Sequence, residues 1–185
     1  ITVSTHFPNP KTGGDSWDTT PAIPAVLQGG EALQNYHSYL DDVAKWASTI
    51  TDAEGKLIPI IFFILYENTG SWFWWGASQS SPAEYKNIFR YTVEYLRDVK
   101  GVHNFLYAYS PADTFNGEED QYLERYPGDE WVDIIAFDAY SPASNNDAWF
   151  DSVVENAALV SRMAKARGKI SAIAETGLQA DSIEG

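Results

Sequence analysis

The chain has 185 residues, enough for one compact domain with a core of its own. Acidic residues outnumber basic ones 26 to 12, and the resulting charge of −14 repels phosphate backbones and anionic lipid, so nucleic acid and membrane surfaces are poor partners. Cysteine is absent, which excludes disulfides, thiolate catalysis and cysteine–zinc sites, and the best apolar run, residues 57–65, falls well short of the roughly 20 residues of a membrane span.

In chain order, residues 1–5 read as a strand, and the stretch rich in Pro, Gly, Asp and Thr from 8 to 30 reads as turns and loop. Leu33, Tyr36, Leu40, Val43 and Ala47 recur at helical spacing, so residues 31–49 form an amphipathic helix. Residues 57–65 read as a strand buried on both faces. Ser81, Pro82 and Glu84 make a capped helix start, and the apolar spacing carries that helix to about Lys100. A strand follows at 104–109, a short helix at 121–125 and a buried strand at 132–137. Asp147 caps a helix that runs to Arg167 and ends on Gly168, and the last strand covers 169–174. Strands alternating with amphipathic helices predict parallel strands joined by right-handed crossovers, an α/β architecture. Five strands do not close an eight-stranded barrel, so the pattern fits either an open sheet or the middle of a (β/α)8 TIM barrel whose ends are missing. Nothing along residues 1–185 divides the chain into two domains.

In such folds the site lies at the carboxyl ends of the strands, and here those connections are long, polar and aromatic. Seven tryptophans and eleven tyrosines exceed what a core of this size needs, and flat apolar faces with polar edges suit sugar rings, although burial remains the commonest use of any one ring. Two carboxylates stand at strand ends. Glu67 opens the loop Asn68-Thr69-Gly70-Ser71-Trp72-Phe73-Trp74-Trp75-Gly76, and Glu175 precedes Thr176-Gly177. Either alone would serve as a structural ion pair. Two at the same end of parallel strands match glycoside hydrolysis, which needs a carboxyl group on each side of one sugar bond.

The run Tyr66-Glu67-Asn68-Thr69-Gly70-Ser71-Trp72-Phe73-Trp74-Trp75-Gly76 resembles the acid/base loop of glycoside hydrolase family 26, mostly endo-β-1,4-mannanases on a (β/α)8 barrel. Other segments agree in order: His6 with Asn9-Pro10, then Tyr109-Ser110-Pro111, then the Asp-x-Tyr of Asp138-Ala139-Tyr140, then Ala174-Glu175-Thr176-Gly177. The resemblance implies that the strands are the third to the seventh of a barrel, that the sequence is a fragment, and that the unpaired edge strands make it prone to association as an isolated polypeptide. It implies retaining hydrolysis, with Glu67 as acid and base and Glu175 as nucleophile, which needs their carboxyls about 5–5.5 Å apart. Tyr140 is then a hydrogen-bond donor to Glu175, Trp72 and Trp75 are candidate sugar-stacking faces although one of Trp74 and Trp75 is expected to pack instead, and His6 and Tyr66 are candidate donors to sugar or nucleophile. Asp138 and, more weakly, Asp113 are further candidates. The family usually has arginine where this chain has Phe63 and histidine where it has Tyr66, so the resemblance implies a weakened enzyme.

The implied substrate is β-mannan polysaccharide or manno-oligosaccharides, with secreted, periplasmic or surface placement because polymeric mannan does not enter cells. A related β-glucanase or β-1,3-xylanase, or a degenerate carbohydrate-binding protein, are the alternatives. An unrelated open α/β binding domain would point Glu67 and Glu175 to different places. No cofactor or metal is expected: His6, His37 and His103 lack ligand spacing, and neither a phosphate loop nor a nucleophile elbow is present.

Overall fold

The computed structural model describes residues 1–142 and 146–179. Five strands, β1 (Thr2–Ser4), β2 (Ile60–Phe63), β3 (Phe105–Tyr109), β4 (Ile134–Ser141) and β5 (Ile170–Leu178), form one all-parallel sheet in the order β1-β2-β3-β4-β5. Strands adjacent in sequence are therefore adjacent in space, as successive right-handed βα units require. The sheet curls into part of a barrel. Helices α1 (Ile23–Gln28), α2 (Glu31–Ala47), α3 (Pro82–Glu94), α4 (Glu119–Leu123) and α5 (Asp147–Arg167) lie in the connections. Interior strand β4 is buried along nearly its whole length, as a parallel strand covered on both faces must be, whereas β1 and β5 are exposed sheet edges among the described residues.

Local chemistry sets the helix ends. Ser81 and Glu84 close the reciprocal capping box: the Ser81 Oγ accepts from the Glu84 N–H and the Ser81 N–H donates to Glu84 Oε2 at 2.8 Å. Gly168, at φ 65°, ends α5 in the left-handed conformation that glycine adopts without a Cβ penalty. Tyr36 on α2 hydrogen-bonds Thr92 on α3 at 2.7 Å with both residues fully buried, which fixes the two helices against each other.

Several expected boundaries move. The predicted loop at 8–30 contains α1, one and a half turns started by Pro24 and held by the burial of Ile23 and Val26. The expected strand at 57–65 is ordered as a strand only over Ile60–Phe63, because Leu57 pairs with Thr51 in an antiparallel bridge and Leu65 takes a positive φ of 46°. The helix from Ser81 to Lys100 finishes in a π-helical turn, Tyr95–Val99. The N-cap of α5 is Asn146, whose Oδ1 accepts from the Trp149 N–H at 3.0 Å, and not Asp147. Helix α4 begins two residues earlier than expected and leaves Arg125 beyond its end. The last two strands run further, to Ser141 and Leu178.

Candidate active site

The extension of β5 decides where Glu175 points. Phe137 pairs with Ile173, but Asp138 pairs with Glu175, so Ala174 is an extra residue in a β-bulge. Paired residues share a face and successive residues alternate. Without the bulge Glu175 would align with Ala139 and turn away from Asp138 and Tyr140. With it, the three share a face, and the Tyr140 hydroxyl donates to Glu175 Oε2 at 3.1 Å.

Glu67 reaches the same place by a different route. Residues 65–67 turn sharply off β2, with positive φ at Leu65 (46°) and Glu67 (51°). The Glu67 N–H donates to the Ser110 carbonyl at 2.7 Å, tying the turn to the end of β3. The chain then folds back, so that Trp72 lies over Gly70, where a Cβ would come within 2.3 Å of the indole. That closeness requires glycine and lets Trp72 Nε1–H donate to Glu67 Oε2 at 2.8 Å.

Glu67 and Glu175 line one open cleft of about 610 Å3, together with His6, Trp17, Tyr66, Trp72, Phe73, Tyr140, Leu178 and Gln179. Among the described residues the lining contains no lysine or arginine. Burial is the main cause that pushes the Glu67 carboxyl above the usual carboxylate range, and repulsion from Glu175 adds to it against the opposing Trp72 hydrogen bond. Tyr66 is nearly buried, its hydroxyl hydrogen-bonds His6 Nε2, and burial with two nearby glutamates holds the phenol protonated. The His6 ring also packs on Trp17 and Phe73, with centroids at 4.7 and 5.3 Å.

Other candidates sit apart from the cleft. Trp75 and Trp74 are fully buried: the Trp75 indole donates to the Tyr66 carbonyl at 2.8 Å and the Trp74 indole to the Phe7 carbonyl at 2.9 Å. Trp75 therefore supports the cleft from behind and offers no free face to a sugar, while Trp72, 40% exposed, does. Asp138 does not line the cleft either. It is 2% exposed beneath it, and burial, with repulsion from Glu175 and Glu67, outweighs hydrogen bonding from Ser110 and the Glu175 backbone and pushes its carboxyl up to about 8. Asp113 is half-buried outside the lining, and Phe63 is core on β2, paired with Ser4 and Ala108. Trp17, 54% exposed, is a cleft residue the sequence reading missed; an aromatic ring in an otherwise polar strand-end loop was the available signal.

The family model for glycosyl hydrolase family 26 matches residues 1–182. The chain belongs to that family. Over 98% of its length it is 48% identical to a mannan endo-1,4-β-mannosidase of Bifidobacterium adolescentis, of which it spans 18%. An endo-β-1,4-mannanase of Cellulomonas fimi superposes with a TM-score of 0.92 at 46% identity, covering 96% of this chain and 39% of that one. The catalytic domain of a family 26 endo-β-1,4-mannanase from Bacillus sp. JAMB-750 gives 0.91 at 42% identity, covering 95% and 46%. The family 26 chain thus spans less than half the length of these relatives. Among the described residues no helix is long and apolar enough to cross a membrane.

Proposed function

We propose that the chain carries the two catalytic carboxyls of a retaining endo-β-1,4-mannanase acting on mannan, galactomannan or glucomannan, and that its strands are the third to the seventh of a (β/α)8 barrel. The observation that carries this reading is one cleft holding two carboxyls in unlike settings. Glu67, whose surroundings favour the neutral acid, protonates the glycosidic oxygen as the C–O bond breaks. Glu175 attacks the anomeric carbon and forms a glycosyl ester. Glu67, now ionised, takes a proton from water, which cleaves that ester and returns both groups to their starting states. Tyr140 orients Glu175 through the hydrogen bond to Oε2. Trp72 and Trp17 offer exposed ring faces for sugar stacking, and His6 and Tyr66 supply polar edges at the cleft wall. Secreted or surface placement follows from a polymeric substrate.

The test is reducing-end release from mannan by the intact protein and by its Glu175→Ala variant. A loss of at least about 10⁴-fold is expected for removal of a nucleophile, and unchanged turnover would sink the assignment.

A further inference from the structure

Arg125 is a buried cation with no counter-ion. It is 3% exposed, and among the described residues no carboxylate reaches ion-pair distance of it. Burying a guanidinium this way is costly unless its donors are used. They are used, and on one object. Nε donates to Asn68 Oδ1 at 3.2 Å, Nη1 to the Ser80 carbonyl at 2.9 Å, and Nη2 to Ser80 Oγ at 2.6 Å and the Trp75 carbonyl at 3.4 Å. The guanidinium also lies over the Tyr85 ring, 4.8 Å from its centroid.

Three of these partners, Tyr85, Trp75 and Asn68, lead to the turn at Glu67. Leu65 and Glu67 both hold positive φ, a conformation that L-residues keep only where the surroundings over-determine it. The Tyr85 hydroxyl donates to the Leu65 carbonyl at 3.0 Å, the Trp75 indole donates to the Tyr66 carbonyl at 2.8 Å, and Asn68 follows Glu67 directly. We infer that Arg125 is a positioning residue for Glu67: it locks Tyr85, Trp75 and Asn68 into a cage that holds the turn at residues 65–68 and so aims the acid. The inference rests on the reading of Glu67 as acid and base given above.

The test separates proton delivery from folding by the leaving group. Mannan needs a proton on its departing oxygen, whereas a 2,4-dinitrophenyl β-mannobioside releases a phenolate that needs none. In the intact protein, Arg125→Met and Arg125→Lys should lower kcat on mannan by about tenfold or more, the scale on which a misplaced group loses rate. The rate of the first dinitrophenolate turnover should stay within about twofold, with burst amplitude counting active sites. Lysine keeps the charge but not the planar fork, so it should rescue little. Tyr85→Phe keeps the stacked ring and loses only the bond to Leu65; it should show the same split, smaller, and it serves if the Arg125 variants do not fold. Equal losses on both substrates, or no loss on either, would overturn the inference. Glu67→Ala is the reference. If it shows the split and the Arg125 and Tyr85 variants do not, the positioning role alone fails; if it shows none, the acid reading fails and the inference falls with it.

Discussion

Glu67 and Glu175 carry the same functional group at the same end of one sheet, and the molecule treats them as opposites. The Glu67 side is braced: a turn of two positive-φ residues, fully buried Trp74 and Trp75, and a buried arginine hold it from behind. The Glu175 side is open: β5 is an exposed edge strand, Glu175 is half-buried, and its orientation depends on a bulge and one hydrogen bond from Tyr140. Both side chains are half-buried, so neither position along a strand nor exposure alone separates them; burial is the main cause that raises the Glu67 carboxyl, and the proposed mechanism uses that group as the acid.

The contrast breaks most visibly at the brace. Trp74→Ala should cost about 3–5 kcal/mol of stability in denaturant unfolding, the usual scale for a buried tryptophan, and it also leaves the Phe7 carbonyl without its donor. Next in size is Asp138, the third acid beneath both glutamates. Its carboxyl is raised from 3.8 to about 8, so between those values the folded state binds more protons than the unfolded one. Stability should then fall as pH rises through that window. Asp138→Asn should flatten the dependence, gaining about 2–5 kcal/mol at pH 8 and nothing below pH 4, as read by melting across pH. A parent whose stability is flat over the same range would contradict the raised value. On the open side, Tyr140→Phe removes the donor to Glu175 at 3.1 Å. A hydrogen bond to a charged group contributes about 1.5–3 kcal/mol, so kcat/KM on manno-oligosaccharides should drop roughly 10- to 100-fold with little change in melting temperature.

Much of this was legible in the sequence, and the remainder was hidden for physical reasons. The βα alternation shows because each strand is an apolar run and each long helix has an apolar stripe. The two glutamates show because a carboxylate at the end of such a run is out of place. Helix α1 does not show: its six residues, Ile23–Gln28, are too few to display a period, and burial of Ile23 and Val26 makes the helix. The Trp-Phe-Trp-Trp run does not say which ring faces the cleft, since an irregular loop has no period to read; Trp72 and Trp75 were both candidates, and packing separates them. Asp138 looks like a strand-end acid in reach of substrate until β4 continues past it to Ser141 and buries it. Arg125 carries no local signal, because its hydrogen-bond partners lie 45 to 57 residues away in the chain.

The finest test of the asymmetry lies in one hydrogen bond. Trp72 Nε1–H donates to Glu67 Oε2 at 2.8 Å, and such a bond favours the ionised carboxylate, so it works against the burial and the Glu175 repulsion that hold the proton on. Trp72→Phe keeps an aromatic face over Gly70 and loses only the donor. Glu67 should then keep its proton to higher pH. Since in the proposed mechanism the acid form delivers a proton to the leaving group, the alkaline limb of kcat/KM on mannan should move upward, by less than about one pH unit. An alkaline limb that moved downward would mean that the indole acts on Glu67 chiefly as a desolvating wall, and the balance between enclosure and hydrogen bonding would have to be drawn the other way.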